Sequence, residues 1–389
     1  MNRTTDYLIL GAGVIGTSIA FHLAQRRSGR ITVIDKAFVG QGNSGRSSAL
    51  VRMHYAYAPE VQMAVLGYKV FSNWQEIVGR PTHFCRTGFV HITKREYADR
   101  LRANVSMQQA NGANTRLITA AELKEMEPDW NAEDFDIAAY EPDSGYGDGA
   151  AVATDFLSRA REMGVEYQPQ TLTESIDVEA ERVVGVTTDR GEISAGAVVI
   201  ATGPWTQPLL APHGVSLPID PEFHVVALLK NPPGMKGRGL TCIDAITETY
   251  FRREGSDLTL VGDYSSGEKG ADPDDFPQSS SAEEMARMVG SACRRVPALE
   301  EAGVARSVTG IYDTTPDTRP MLGRVPGLDG AYCAVGLSGM GFKLSPAVGI
   351  VMSELILDGK GKSIDIDSFA PGRFAEGKPI RAANEYAEA

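Results

Sequence analysis

Tyr7-Leu8-Ile9-Leu10-Gly11-Ala12-Gly13-Val14-Ile15-Gly16, followed at a distance by Ile31-Thr32-Val33-Ile34-Asp35, decides the fold of this chain. The first four residues read as a short buried strand. Thr17–Arg27 then carries Ile19, Ala20, Leu23 and Ala24 at helical spacing. The run to Asp35 is β-branched and ends in an acid, so the whole is a βαβ unit with G-x-G-x-x-G at its first turn. Each glycine has its own reason. Gly11 makes the tight turn, Gly13 lets backbone approach a pyrophosphate, and Gly16 lets the helix lie close on the strand. The pyrophosphate sits at the helix N-terminus, where free N–H groups and the dipole favour anions. Asp35 is placed to bond ribose hydroxyls, as a dinucleotide-binding unit requires.

Two further stretches favour FAD over NAD. Gly42-Asn43-Ser44-Gly45-Arg46-Ser47-Ser48 is rich in glycine and small hydroxyls, suited to wrapping a second phosphate and a ribityl chain. Far downstream, Ala197–Ala201 reads as a buried strand ending in Thr202-Gly203, placed beside the same cofactor.

Between these lie other elements. Helices are expected at Glu60–Ile77, 96–111, 155–163 and 283–295, and a strand over 84–94. Thr119 and Glu122 form a capping box for a helix at Ala120–Met126. Strands at 183–188 and 192–200 read as a hairpin turning near Asp189-Arg190-Gly191. From 215 to 264 the pattern becomes β-rich, with strands at Phe223–Leu229, Glu248–Arg252 and Leu258–Val261. Residues 265–281 are polar and aperiodic, either a surface loop or a lid over the active site. The expected class is α/β: a Rossmann-type FAD-binding domain interleaved with an α+β substrate domain on a mostly antiparallel sheet. The FAD domain is expected to use 1–84, 145–214 and 305–389, and the substrate domain 85–144 and 215–304, with the active site between them.

Composition removes other classes. The 389 residues are 42% hydrophobic and 23% charged, ordinary for a globular protein. A net charge of −12 argues against nucleic acid or an anionic membrane as partner. Cys85, Cys242, Cys293 and Cys333 form no CxxC pair, so neither a zinc site nor a redox dithiol is indicated. Scattered cysteines fit a reducing compartment. The apolar stretch Tyr7–Ala24 is broken early by glycines, so no membrane span or signal is read there and a cytoplasmic location is expected.

The C-terminal third holds Gly310-Ile-Tyr-Asp-Thr-Thr-Pro-Asp-Thr-Arg-Pro-Met-Leu-Gly323 and Gly336-Leu-Ser-Gly339-Met340-Gly341-Phe342-Lys343-Leu-Ser-Pro-Ala-Val-Gly349. A strand, Ala331–Val335, precedes the second. A helix is expected over Pro346–Leu357, with Ser345 as N-cap, Pro346 as first helical residue and Gly359 closing it. Its positive end, near the flavin pyrimidine edge, favours an anionic reduced ring.

Together these motifs resemble the FAD-dependent amino-acid and N-methyl-amine oxidoreductases, which include D-amino-acid oxidase, glycine oxidase and sarcosine oxidase. The stretches Gly42–Arg52 and Gly310–Asp317 are most similar to the beta subunit of heterotetrameric sarcosine oxidase. The resemblance implies that hydride passes from a carbon next to nitrogen to flavin N5, and that the imine formed then hydrolyses. Positioning and the cofactor supply most of the rate. It implies that Arg52 and Lys343 grip the substrate carboxylate, and that Tyr250 and Arg252, two apart on one strand face, line the pocket. His54, Tyr55 and Tyr57 stand next to Arg52, as pocket wall or ordinary packing. Leu172 falls where relatives place a backbone against adenine. Val14, Ile15, Lys36, Trp205, Gly310, Met340 and Phe342 are expected around the cofactor as well.

Gly310 replaces the cysteine that carries FAD in monomeric sarcosine oxidases, and no histidine stands near Ser47–Ala49, so non-covalent FAD is expected. An oxygen-activating lysine of those oxidases falls at Leu260, which argues against rapid direct use of oxygen. The implied partners are a small carboxylate-bearing amine, oxygen or another electron acceptor, and in one reading a partner subunit. A 2-hydroxy acid is the other substrate class; its oxidation needs a base such as histidine, and Met340 stands in the C-terminal loop instead.

Overall fold

The computed structural model describes residues 3–263, 268–270 and 272–386. Part of the 265–281 stretch, residues 265–267 and 271, lies outside the described residues.

Two large sheets and one small one organise the chain. The first sheet runs Glu166–Gln168, Ile31–Ile34, Arg3–Leu10, Gly191–Ile200 and Ala331–Val335, all in parallel register. Met321–Arg324 adds an antiparallel edge, and Thr173–Glu179 with Arg182–Thr188 extends the sheet from the start of 191–200. The central strands are buried along their length because helices cover a parallel sheet on its faces. Helices Val14–Gln25, Gly149–Glu162 and Gly341–Asp358 pack together on one side. A β-carbon on Gly349 would lie 2.2 Å from Ser18 Oγ, so the first and last of these helices touch backbone to side chain.

The second sheet contains Phe89–Ile92, Arg116–Thr119, Ile137–Glu141, Asp220–Lys230, Thr241–Asp244, Thr249–Glu254, Leu258–Asp263, 268–269 and Gly303–Thr314. It is antiparallel except where Thr241–Asp244 lies beside Phe89–Ile92. Gly303–Thr314 pairs with Asp220–Lys230 and so crosses the boundary expected at 305 while staying in this sheet. Helix Ala282–Arg295 covers one face through Met288 and Ala292.

Local signals survive intact: Thr119 and Glu122 form the capping box, and the hairpin turns before Gly191. Other boundaries move. The 84–94 strand splits into Cys85–Arg86 and Phe89–Ile92 around Gly88, which has φ +83°. The helix expected after Thr154 begins at Gly149, capped by the Asp148 carboxylate on the Ala151 N–H at 3.0 Å. The C-terminal helix begins at Gly341, not Pro346. Proline has no N–H to give the carbonyl four residues back. Ser345 Oγ donates to the Phe342 carbonyl at 2.8 Å instead, so Ser345 serves inside the helix rather than as its cap. Gly359 closes the helix at φ +83° as expected.

Candidate active site and cofactor cavity

The N-terminal loop is built for close approach. Gly11 has φ +104°, and a β-carbon there would fall 2.5 Å from the Ala201 carbonyl. One on Gly16 would fall 1.9 Å from the Gly11 carbonyl, so strand and helix meet at backbone contact. Asp35 is oriented by the Ala12 and Ala37 N–H groups, each 2.7 Å from one carboxylate oxygen. Ser44 Oγ accepts from the Val14 N–H at 3.0 Å, which joins the second glycine-rich loop to the helix start. Asn43 hydrogen-bonds both backbone groups of Ile311, and Arg46 donates to the Thr309 carbonyl at 2.9 Å.

These loops enclose a cavity of about 590 Å³, within the range of cofactor sites. Gly11, Gly13, Val14, Ile15, Asp35, Lys36, Gly42, Asn43, Ser44, Arg46, Ser47 and Ser48 line it. So do Leu172, Thr202, Gly203, Trp205, Gly310, Gly339, Gly341 and Phe342. The elongated cradle, a helix N-terminus at one end and an oriented acid at Asp35 fit the pyrophosphate and ribose of FAD. Gly16 and Met340 stand behind this wall. Leu172 offers less backbone than expected, because its N–H is taken by Asp189 at 2.9 Å.

Described residues of the polar stretch also reach the cavity. Pro273, Asp274, Phe276 and Gln278 line the cavity. Asp274 pairs with Lys36 and accepts from Trp205 Nε1 at 2.9 Å, while Gln278 accepts from Arg46 at 2.8 Å.

At the far end the sheet supplies a roof of Tyr250, Tyr312, His224 and Val226. Glu222, His224 and Val226 alternate along Asp220–Lys230 and share one face. His224 stacks on Tyr312 with centroids 4.1 Å apart, and its Nε2 lies 3.5 Å from Glu222 Oε1. Tyr250 and Tyr312 share a hydrogen bond, and burial pushes both hydroxyls up. Sequence reasoning missed His224 and Tyr312; the period-two pattern around 222–226 was the available signal. Arg252 does not join the roof. It donates to the Ser48 carbonyl at 2.7 Å, pairs with Glu254 and stacks on Tyr146, so it braces the second glycine-rich loop.

The loop before the C-terminal helix closes the other side. Gly339 has φ +80°, and a β-carbon there would lie 2.6 Å from the Tyr312 ring. Asp313 accepts from the Gly336 N–H at 2.6 Å; burial pushes its carboxyl up to about 6 against those backbone N–H groups. Because the helix starts at Gly341, its positive end lies on the cavity wall, closer than a Pro346 start would place it.

Just behind that wall lie Lys343 and Arg52. Lys343 is 7% exposed and its ammonium donates to the Gly339 carbonyl at 3.2 Å. Burial, and then the Arg52 guanidinium, push it well below its usual value. Arg52 donates to the His54 carbonyl and stacks on Tyr55 at 4.3 Å, while its Nε is buried without a hydrogen-bond partner among the described residues. The neighbouring carboxylate is Glu60, buried in the first turn of helix Ala58–Ser72 and paired with Arg319 at 3.2 Å. Two adjacent basic side chains, one with an unpartnered donor, make a seat for an anion. His54 turns instead to His91, stacked at 4.4 Å.

Known proteins share the fold and the family. A model of the family described as FAD dependent oxidoreductase matches residues 6–355. Glycine oxidase of Geobacillus kaustophilus is 28% identical, over 95% of this chain and 97% of its own. The beta subunit of sarcosine oxidase from Rhodobacter capsulatus is 24% identical, over 96% of this chain and 90% of its own. The crystal structure of L-proline dehydrogenase from P. horikoshii superposes with a TM-score of 0.89 at 26% identity, covering 98% of this chain and all of that one.

Proposed function

The chain belongs to the family of FAD dependent oxidoreductases, and on that premise we propose that it oxidises the C–N bond of a small amino acid. The substrate class is an N-methyl amino acid such as sarcosine, a cyclic imino acid such as proline, or a D-amino acid. The observation that carries this reading is the buried Lys343–Arg52 pair directly behind the Gly339–Phe342 wall of the cofactor cavity.

A substrate carboxylate seated on Arg52 and Lys343 restores charge balance to two crowded basic side chains. It also fixes the substrate at one end, which leaves its α-carbon or N-methyl carbon to face the flavin. Bound FAD supplies the hydride acceptor. The amine must shed its proton before its lone pair can assist; His224, backed by Glu222, is the cavity-lining base for that proton. The N-terminus of helix Gly341–Asp358 favours negative charge at the cavity wall. The roof side chains keep water from the reacting carbon.

His224 also supports a second reading, a 2-hydroxy acid, whose oxidation needs such a base. The likeness to a sarcosine oxidase beta subunit supports a third, in which this chain is the flavin subunit of a larger oxidase or dehydrogenase. One experiment separates them. The FAD-loaded chain is mixed without oxygen with sarcosine, proline, D-alanine, glycine, glycolate and lactate, and the flavin band is followed. Bleaching by an amine establishes C–N oxidation, and readmitted air reports whether oxygen is the acceptor. Bleaching by glycolate or lactate alone moves the activity to hydroxy acids. No bleaching by the chain alone, with bleaching by a co-purified complex, assigns it a subunit role.

A further inference from the structure

The stretch 314–320 follows the cavity-lining residues Gly310–Asp313 and ties distant parts of the chain together. Asp317 accepts from Arg373 at 2.9 and 2.8 Å and from the Ile380 N–H at 2.8 Å, which anchors the C-terminal segment. Arg319 faces the other way. Its Nε lies 3.2 Å from Glu60 Oε1, and its Nη2 lies 2.6 Å from Glu385 Oε1. Past Ile380 the chain crosses to helix Ala98–Ala110: Asn104 donates to the Asn384 carbonyl at 3.0 Å, and Arg100 to the Glu385 carbonyl at 2.6 Å. Tyr386 then places its hydroxyl 3.1 Å from His54 Nε2, and the His54 carbonyl holds Arg52.

The tail therefore reaches the two basic side chains along two lines. Glu385, Arg319 and Glu60 form one by charge; Tyr386, His54 and Arg52 form the other by contact. Several buried polar atoms around them, including Arg52 Nε, Tyr55 Oη, His54 Nδ1 and Glu141 Oε1, have no hydrogen-bond partner among the described residues. Buried polar groups at such density require partners, an ordered water or a bound ligand.

Resting on the reading of Arg52 and Lys343 as a carboxylate seat, we infer that the C-terminal segment is its positioning element. Glu385 shares Arg319 with Glu60 and so sets how strongly the Glu60 charge opposes an incoming carboxylate, while Tyr386 fixes Arg52 through His54. The groups facing Glu60 are Arg52 and Tyr55 from the segment before its helix, Lys343 from the C-terminal helix, Asp317 and Arg319 from the 314–320 stretch, and Glu385 from the tail. Burial pushes the Glu60 carboxyl up to about 7; Arg319 and Arg52 oppose this, and Glu385 and Asp317 add to it. Ionised, Glu60 cancels part of the seat's positive charge. When a carboxylate binds, Glu60 takes one proton from the medium and the opposition ends. Carboxylates thus bind more tightly below the Glu60 midpoint than above it. Lys343 titration acts in the same direction, but Glu385 is not among the groups that act on Lys343.

The test uses FAD-loaded protein and acetate, a carboxylate without an amine, titrated through the flavin band from pH 5.5 to 8.5. FAD content and thermal midpoint confirm that each variant is folded. In the native protein the acetate Kd rises roughly tenfold across a midpoint near 7. Glu385→Gln removes a negative neighbour of Glu60 and moves that midpoint to lower pH. In Glu60→Gln the Glu60 part of the step is gone and only that of Lys343 is left, and adding Glu385→Gln changes nothing further, the signature of a coupled pair. Tyr386→Phe weakens acetate binding without moving the midpoint. The inference is overturned if Glu385→Gln leaves the midpoint in place, or shifts acetate binding equally when Glu60 is absent. Acetate that binds with no pH response defeats this inference alone. Acetate that never perturbs the native flavin defeats the carboxylate seat, and the proposed function with it.

Discussion

Gly339→Ala is the sharpest probe of how the cofactor is held. The glycine sits at φ +80°, where an alanine pays about 1–2 kcal/mol for its β-carbon. That carbon would also stand 2.6, 3.0 and 3.1 Å from three atoms of the Tyr312 ring. The ring cannot easily retreat: it is stacked on His224 at 4.1 Å and hydrogen-bonded to Tyr250. Forcing an extra methyl into such a contact costs about 1–3 kcal/mol. The total of roughly 2–5 kcal/mol corresponds to a loss of about 30- to 4,000-fold in FAD affinity if the strain is released in the unbound loop. The assay is titration of apoprotein with FAD, read by flavin fluorescence quenching, beside the thermal midpoint of the apoprotein. Gly327→Ala is the control, since Gly327 has φ +73° but nothing within 4 Å of the added carbon among the described residues. It should show the backbone cost alone. A Gly339→Ala protein with native FAD affinity and native thermal midpoint refutes the argument that this loop and Tyr312 are packed to contact against the cofactor.

Other consequences can be checked directly. Arg52→Met should raise KM for the bleaching substrate by more than tenfold with a smaller effect on kcat, because it removes binding held equally in ground and transition states; steady-state kinetics over a wide substrate range would show the opposite pattern if Arg52 only braces the loop. Arg295 is fully buried between Asp244 at 2.7 Å and Asp134 at 2.7 Å, so Arg295→Met should cost about 3–5 kcal/mol of stability by leaving buried acid unpaired. A loss under about 1 kcal/mol in denaturant unfolding would contradict that. Burial holds Glu60, Glu127 and Glu141 up to about 7, so these groups stabilise the folded state below the unfolded value of 4.5 and lose that contribution as pH rises through 7. Neutral buried His22 and His91, pushed down to about 4 and 3, act oppositely but only below 6.5. Lys343, pushed well below its usual value, opposes this trend; in a Lys343→Met protein, which lacks that opposition, stability should fall by about 2 kcal/mol between pH 6.5 and 8, and calorimetry showing a rise over that window in that variant would reject the burial of these carboxylates.

The sequence by itself determined what short-range chemistry controls. Gly11, Gly13 and Gly16 announce a strand, a turn and a helix because no other residue fits those backbone contacts. Asp35 completes the nucleotide site from the end of the next strand. Thr119 with Glu122, and Gly359, mark helix ends through hydrogen bonds and a positive φ that lie within one turn of chain. The cavity wall was readable for the same reason, since its residues come in four compact motifs. Tertiary structure decided the rest. The start of the last helix moved from Pro346 to Gly341 because Ser345 could repair the bond that proline lacks, a rescue that a propensity rule does not contain. Arg252 shares a strand face with Tyr250, yet the Ser48 carbonyl, 204 positions away in the chain, claims it. His224 meets Tyr312 only because two strands pair across the second sheet. Glu60, Arg319 and Glu385 stand far apart in the chain, and none is placed by periodicity. Their association depends on burial and on which charges share one low-dielectric space, and those are properties of the packed molecule rather than of any segment of it.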